Sequence, residues 1–497
     1  MTTKQRTWLG FFAILAAILL NLLDSTIVNV AAASIGADLG GSSSALQWIA
    51  AGYTLAMAVG LLTGGRLGDM YGRRRMLLIG VVGFVAASVA CAAAPSIGML
   101  IVARVLQGLL GAVMIPQGFG LIRDLFPPRE IGKAFAALGP VIGLSTILGP
   151  IVAGLLVDAD LFGLGWRTIF AINVPLGLFA IVAGRLALPR PSTNQPDARA
   201  QRLDLRGAVL AGLGVLLLVF PLVQGRDLGW PAWSFVMLAA SVPVIGVFVR
   251  YQLRRRQRGE TPLVELSVFA KRSYASGVAF VVVFFGAVVG FSLAVGLFLQ
   301  LGLGFSPTRA SLTMAAWALG AFLGSGFSAA MMAKLGRRIL HIGLSLMGAG
   351  VVALYAVFAS AGTSVGSGHL IAPLMVFGVG MGMIFVPLFD IIMGDIEDRE
   401  VGSASSLLES IQQLGASLGV AVLGTIFFAV AGPASGQGRL DPARAVDAAG
   451  LVTLLTLVLT AAAFALAFRL PRKARAHGPE AAPVAPEAGT PELALAV

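Results

Sequence analysis

The stretch GGRLGDMYGRRRML at 64–77 places one acid and four arginines between two long apolar runs. The runs at 46–65 and 76–94 are each about as long as the 20 residues that a helix needs to cross a bilayer. A weaker copy of the charged stretch, AKLGRRIL at 333–340, follows another pair of apolar runs. The two stretches predict membrane-spanning helices arranged in two parallel halves, with a similar charged turn in each half.

The composition supports a membrane protein. Of the 497 residues, 57% are hydrophobic and only 12% are charged, about half the charged share of a soluble domain. This excludes a cytosolic enzyme, a disordered scaffold and a nucleic-acid-binding domain. The net charge of +12 would suggest a nucleic-acid partner in a soluble protein. Here we attribute it to positive loops on one membrane face and expect no nucleic-acid partner.

Apolar runs along the whole chain predict an all-α, multi-pass membrane protein with fourteen transmembrane helices. The runs lie at about 8–30, 46–65, 76–94, 98–122, 133–157, 168–188, 206–223, 233–249, 275–300, 311–333, 339–359, 370–393, 402–430 and 449–468. Two polar stretches, 189–204 and 250–273, interrupt the rhythm on either side of helices 7 and 8.

These interruptions predict four parts of the chain. We expect an N-terminal six-helix bundle over 1–188, cytoplasmic linkers with the two extra helices over 189–273, a C-terminal six-helix bundle over 274–470, and a disordered cytoplasmic tail over 471–497.

The distribution of Lys and Arg predicts the orientation. With the N-terminus in the cytoplasm, 29 of the 35 cations fall in cytoplasmic segments, five fall outside, and Arg104 lies within a span. Cytoplasmic loops carry such an excess of Lys and Arg. We therefore expect a cytoplasmic-membrane protein with both termini in the cytoplasm.

Charged residues inside spans are costly and indicate function. Asp24 lies in LLNLLDSTIVNV (19–30), where Asn21, Ser25 and Asn29 extend a polar stripe that we expect to face a cavity. We place Asp24 about 6 residues, or 9 Å, from the outer end of helix 1. Arg104 lies at a similar depth in helix 4, so the two can pair. The alternative is a static ion pair that only joins the helices.

Two further acids are candidates for handling protons or substrate. Glu409 lies about 7 residues into helix 13, beside Gln412 and Gln413, and a carboxylate in an apolar site can exchange protons near neutral pH. The alternative is an acid that favours the start of the helix through its dipole. Asp390 lies near the inner end of helix 12, where a solvated interfacial acid is an equally good interpretation.

Helix 5 contains a pattern of small residues and proline. Its sequence LGPVIGLSTILGPIVAGLL (138–156) includes Gly139, Gly143, Gly149, Pro150 and Gly154. Small residues let helices approach closely in lipid, and proline kinks a helix; a purely structural role remains open. The chain has no Cys/His cluster, phosphate-binding loop or nucleophile elbow, so we expect no metal site, no catalytic residue and no ATP-driven pump.

Several motifs resemble those of the major facilitator superfamily. The stretch at 64–77 is similar to its loop 2–3 signature, RVLQGLLGA (104–112) to its helix 4 motif, and 138–156 to the helix 5 antiporter motif of exporters. LDSTIVNVA (23–31) and WRTIFAINVPLG (166–177) resemble the fourteen-helix drug:proton antiporter branch.

The resemblance implies roles for individual residues. Asp69, Arg73 and Asp124 correspond to a cytoplasmic charge cluster that steadies the outward-facing state, and Gly65 and Gly72 to glycines of its tight turn. Asp24 corresponds to an acid implicated in handling protons and cations, and Arg104 to an arginine of proton coupling. The glycines and proline of helix 5 correspond to a face that seals the interface between halves. Ala153 stands where that motif often has glycine, and the second-half copy lacks the acid.

The expected function is proton-coupled efflux of drugs or other amphipathic, cationic small molecules by alternating access. The proton motive force would drive it without a cofactor, in a monomer surrounded by membrane lipids. A dedicated exporter of an antibiotic or metabolite is an alternative, and a proton-coupled nutrient symporter is a less favoured one. A membrane enzyme would need a metal-binding acid pair, and DIEDRE (395–400) is more simply a solvated turn.

Overall fold

The computed structural model describes residues 2–127, 130, 134, 145, 148–189, 203–260, 262–396, 401–432 and 439–471. In this part of the chain the regular elements are helices, with no strand. Four helices lie before residue 128: α1 Thr3–Leu39, α2 Ser43–Tyr71, α3 Arg73–Ala92 and α4 Ile97–Leu125. Between residues 148 and 189 lie α5 Leu148–Asp158, α6 Thr168–Ala171 and α7 Asn173–Ala187.

The remaining helices lie after residue 202. They are α8 Leu205–Gln224, α9 Ala232–Gln257, α10 Arg272–Leu297, α11 Pro307–Leu335, α12 Arg338–Ala361, α13 Ser367–Ile392, α14 Val401–Ala431 and α15 Pro442–Ala467. A π-helical turn, Phe298–Gly302, extends α10.

Thirteen helices in the described residues are long and apolar enough to span a membrane. The fifth predicted span, 133–157, lies mostly outside the described residues, and α5 is its described end. The structure therefore shows the predicted all-α, multi-pass architecture, and the count of fourteen stays a prediction. The predicted tail falls outside the described residues except for Pro471.

The length of α1 corrects the predicted position of Asp24. We placed the end of this helix near residue 30, but α1 continues to Leu39 and ends at Gly40, which has a φ of 63°. The apolar run ends earlier because Ser34 and Asp38 are polar, yet both fit within a helix. Asp24 consequently lies fifteen residues before the end of α1, about 22 Å rather than 9 Å.

The helices pack into two groups. In the first, α2 and α3 pack on α4, and α1 packs on α7. In the second, α13 packs on α11 and α12, while α14 and α15 pack on α10. The groups meet mainly where α2 contacts α14, and the paired helices α8 and α9 contact both groups through α8.

The basic end of the bundle is the end that holds the α2–α3 turn, the C-terminal arginines of α9 and the α9–α10 linker. Arg66 of α2 donates a hydrogen bond to the Pro262 carbonyl of that linker, and Arg74 of α3 donates to the Arg185 carbonyl at 2.6 Å. These contacts place the turn, the linker and the end of α7 at one end of the bundle.

Candidate functional site

Asp24 is completely buried among the helices of the first group. It forms an ion pair with Arg104 of α4, whose side chain is 1% exposed. The Arg104 guanidinium also donates to the Ile49 carbonyl at 3.2 Å and to Oε1 of Gln107 at 2.7 Å. A buried charge pair is tolerated only when further hydrogen bonds satisfy its remaining donors and acceptors, and here both partners have them.

Two amide side chains complete the environment of the Asp24 carboxylate. Gln107 and Asn173 each place an amide nitrogen 2.9 Å from Oδ1 of Asp24. Both amides also donate to the hydroxyl of Ser88, at 2.8 and 3.2 Å. We call Asp24, Ser88, Arg104, Gln107 and Asn173 the acid cluster; it joins α1, α3, α4 and α7.

An aromatic ring covers the acid cluster. The Arg104 guanidinium lies 4.2 Å from the centroid of Tyr53, within the range of a cation–π contact. The Tyr53 hydroxyl accepts a hydrogen bond from Asn21 at 2.8 Å. The expectation that Asp24 and Asn21 face a cavity is therefore wrong. Partners on α2, α4 and α7 enclose these two side chains, which are 0% and 3% exposed.

The turn between α2 and α3 holds a second group of charges. Arg73 lies 3.6 Å from Asp69 and 3.3 Å from Asp124, and all three side chains are about half exposed. Gly72, with a φ of 90°, separates the two helices. Gly65 is not part of this turn, contrary to expectation. It lies within α2, where a Cβ would contact Ser406 of α14 at 3.5 Å.

The small residues of α5 face two different neighbours. A Cβ on Gly149 would lie 2.8 Å from the Thr26 hydroxyl of α1, whereas a Cβ on Gly154 would lie 2.7 Å from the Pro307 carbonyl of α11. Asp158 accepts a hydrogen bond from the backbone nitrogen of Thr308 at 2.9 Å. The last turn of α5 thus joins the two groups of helices. Pro150 lies within α5, while Gly139 and Gly143 fall outside the described residues.

The sequence profile of the Major Facilitator Superfamily matches residues 14–420 and 278–492. The chain belongs to this superfamily. Its acid cluster, charged turn and α5–α11 junction are thus features of a major facilitator protein.

The curated relatives of this major facilitator protein are transporters and resistance proteins. It is 50% identical to the probable actinorhodin transporter of Streptomyces coelicolor, over 86% of this chain and 73% of that protein. It is 34% identical to the tetracenomycin C resistance and export protein of Streptomyces glaucescens, over 85% of this chain and 76% of that protein. It is 35% identical to the puromycin resistance protein pur8 of Streptomyces alboniger, over 89% of this chain and 86% of that protein.

Solved structures share the fold at low sequence identity. Tetrameric PepTSo2 matches with a TM-score of 0.65 and 16% identity, over 93% of this chain and 97% of that one. A bacterial homologue of the human lysosomal transporter Spinster, inward-facing and occupied, matches with a TM-score of 0.64 and 17% identity, over 92% and 95%. At this identity the likeness concerns the major facilitator fold alone.

Glu409 lies in the second group of this major facilitator protein, on a distinct face of α14. Ser410 and Ser417 donate to carbonyls of α2, and Gly415 and Gly419 abut α10. Glu409 projects between these two contact faces and is partly exposed. Within the described residues its carboxylate has no hydrogen-bond or ion-pair partner, and nothing there joins it to the acid cluster.

Asp390 is exposed at the third residue from the end of α13. This position is consistent with a solvated interfacial acid, one of the two interpretations of Asp390 from the sequence.

Sequence reasoning missed the partners of Asp24. Gln107, Asn173 and Ser88 lie in runs that read as apolar spans. Gln107 falls within the motif at 104–112 and Asn173 within the motif at 166–177, whereas Ser88 falls within no motif. A usable signal existed for Gln107, because a residue three positions after Arg104 shares its helix face. Asn173 offered no such spacing, since it reaches Asp24 only through the packing of α7 on α1.

Proposed function

We propose that this protein exports small molecules from the cytoplasm by proton-coupled alternating access. The observation that carries the proposal is the acid cluster, in which a fully buried carboxylate is held by one cation and two amides from two helices. A buried ionisable group inside a membrane protein is a candidate for a proton relay. The name of one relative, the tetracenomycin C resistance and export protein, supports the direction of transport.

The acid cluster offers a physical route from proton binding to movement. While Asp24 is ionised, it compensates the buried charge of Arg104. Protonation of Asp24 leaves that cation without its counter-charge, and an unpaired buried charge costs about 3–5 kcal/mol. The helices α1, α4 and α7 relieve this cost by rearranging, which shifts the population between two states of the transporter.

Glu409 is proposed as a second acid on the transport path. It projects between the faces of α14 that contact α2 and α10, and the residue is partly exposed. In this scheme Glu409 attracts a cationic substrate or takes up a proton, while Asp24 couples proton binding to the change of state. Asp69, Arg73 and Asp124 hold the α2–α3 turn during the cycle.

The proposed substrate is an antibiotic-like small molecule. The relative at 50% identity is named for actinorhodin, and others are named for tetracenomycin C and puromycin. These names favour dedicated export of one antibiotic. Broad efflux of amphipathic cations is the second candidate, which the Glu409 carboxylate favours because it has no partner among the residues that the structure describes. A growth panel in a drug-sensitive host separates them by the number of compounds tolerated.

The proposed orientation places the basic end and both termini in the cytoplasm, with the chain acting as a monomer in the cytoplasmic membrane. The excess of Lys and Arg supports this placement. A protease that removes a C-terminal tag from everted vesicles, but not from sealed right-side-out vesicles, would agree with it. The opposite pattern would contradict it.

The central experiment uses everted vesicles that contain the protein and an acid-sensitive fluorescent dye. Adding actinorhodin or puromycin to acidified vesicles should release protons and restore fluorescence in the wild type. Asp24→Asn should abolish this response, and Glu409→Gln should reduce it. Asp160→Asn is the matched control, because Asp160 is an exposed acid in a loop. A normal response with Asp24→Asn would refute the role of Asp24 in proton coupling. Movement of substrate and protons in the same direction would favour a symporter.

A further inference from the structure

One face of α9 changes from apolar to basic along its length. Val236, Pro243 and Val247 are exposed on this face, and the two valines are 65% and 54% exposed. Arg250 and Arg254 continue the same face at the helical spacing of three or four residues. We call the face formed by Val236, Pro243, Val247, Arg250, Arg254 and Arg258 the α9 stripe.

The α9 stripe points away from the protein. The buried residues of α9 are Ser234, Ser241 and Gln252, which lie on the opposite side of the helix at 100° per residue. Only 11% of the apolar 18-residue segment of α9 is buried inside the protein, the lowest share among the thirteen spans in the described residues. The stripe therefore faces whatever surrounds the protein, and along an apolar span that is lipid.

The arginines of the stripe differ from their neighbours in pairing. Arg255 pairs with Asp204 at 3.1 Å and with Glu260 at 3.3 Å, and Arg256 pairs with Glu265 at 3.4 Å. Within the described residues, the side chains of Arg250, Arg254 and Arg258 have no acidic or hydrogen-bonding partner, and all three are exposed. Three neighbouring cations on one face thus remain available to an external anion.

We propose that the α9 stripe binds an anionic phospholipid. The acyl chains lie along Val236, Pro243 and Val247, and Arg250 and Arg254 hold the headgroup phosphate. Arg250 and Arg254 are about 6 Å apart along the axis, so both reach one phosphate, and Arg258 adds a third charge beyond them. Arginine suits this task because its planar donors match phosphate oxygens. The inference is independent of what the protein transports.

The test is a titration of the purified full-length protein with phosphatidylglycerol or phosphatidylcholine, followed by native mass spectrometry. We expect tighter binding of phosphatidylglycerol, and a loss of about tenfold or more in the variant R250Q/R254Q/R258Q. Phosphatidylcholine binding should not change. Arg254→Gln alone should lose about fivefold, which keeps the test available if the triple variant is unstable.

The matched control is K4Q/R6Q/R185Q, which removes the same charge from exposed cations at the basic end. It should change phosphatidylglycerol binding less than twofold. Equal losses in the two triple variants would overturn the proposal, since net charge alone would then explain binding. Unchanged binding in R250Q/R254Q/R258Q would also overturn it and leave another anionic partner, such as an acidic protein segment, for these arginines.

Discussion

Asn173 donates a hydrogen bond from Nδ2 to Oδ1 of Asp24 at 2.9 Å, although 149 residues separate the two in the chain. Asn173 is the first residue of α7, directly after the short helix α6. The contact ties the start of α7 to the middle of α1, and the same amide reaches Ser88 of α3. The Asn173 side chain therefore links three helices of the first group to one another.

Asn173→Ala should destabilise the protein. The substitution removes one donor from a buried carboxylate, which costs about 1–3 kcal/mol. The thermal midpoint in detergent, followed by tryptophan fluorescence, should fall measurably. Asn29→Ala is the control, because Asn29 is a partly exposed residue of the same helix as Asp24. An equal fall in both variants would show that the contact with Asp24 has no special weight.

Gly154→Ala should impair transport more than it impairs folding. The new Cβ would lie 2.7 Å from the Pro307 carbonyl and 2.6 Å from the Ser311 hydroxyl, so α5 and α11 would have to separate. The state in which these helices touch should become less populated, and dye-monitored proton release should slow. Gly98→Ala is the control, since a Cβ there meets nothing within 4 Å. Normal transport by Gly154→Ala would contradict the importance of this junction.

The fold could be predicted from the sequence because the bilayer imposes a simple length rule. Long apolar runs and charged turns located the helices, and Gly72 marked a turn that requires a positive φ. The ends of helices were less predictable. The helix α1 continues nine residues beyond its predicted end, because Ser34 and Asp38 are polar without breaking a helix.

The acid cluster could be predicted only in part. Asp24 and Arg104 were evident because charges are rare inside spans. Their amide partners Gln107 and Asn173 were not evident, because a neutral side chain costs far less than a charge inside an apolar run. Their contacts with Asp24 also depend on how α4 and α7 pack. The position of Glu409 between two contact faces also required the packing of α14 on α2 and α10.

Thr425→Val should loosen the junction of α2, α8 and α14. The Thr425 hydroxyl lies 2.8 Å from the Leu222 carbonyl and 3.2 Å from Oε1 of Gln47. Valine keeps the shape and removes these bonds, at a cost of about 1 kcal/mol. Backbone amides near Gln47 should exchange hydrogen several-fold faster. Thr453→Val is the control, because its hydroxyl bonds only the Ala449 carbonyl of its own helix.

Gly72→Ala should strain the α2–α3 turn. Gly72 has a φ of 90°, a conformation that costs a residue with a Cβ about 1–2 kcal/mol. The thermal midpoint should fall, and the alignment of Arg73 with Asp124 should be disturbed, so that transport also falls. Gly326→Ala is the control, because it lies within α11 with nothing within 4 Å of an added Cβ. A Gly72→Ala protein as stable as the control would contradict the requirement for glycine.

Asp204→Asn should weaken the start of α8 in a pH-dependent way. Burial opposes ionisation of Asp204, but hydrogen bonds from Gln252, the Gly207 amide and Tyr251, with the charge of Arg255, outweigh it and hold the pKa of Asp204 below its ordinary value of 3.8. Ionised Asp204 therefore stabilises the protein fully above that value, and the stabilisation is lost as pH falls through the lower folded-state pKa.

The measurement is the difference in thermal midpoint between wild type and Asp204→Asn across acidic pH. Above about pH 5 the wild type should be more stable by about 2 kcal/mol, since the variant loses a charged helix cap and its charge-assisted bonds. The difference should shrink below about pH 4. Glu260→Gln is the control: Glu260 pairs with the same Arg255 but is half exposed, so its loss should cost less than about 1 kcal/mol. A difference independent of pH would show that the shape of Asp204, rather than its charge, supports α8.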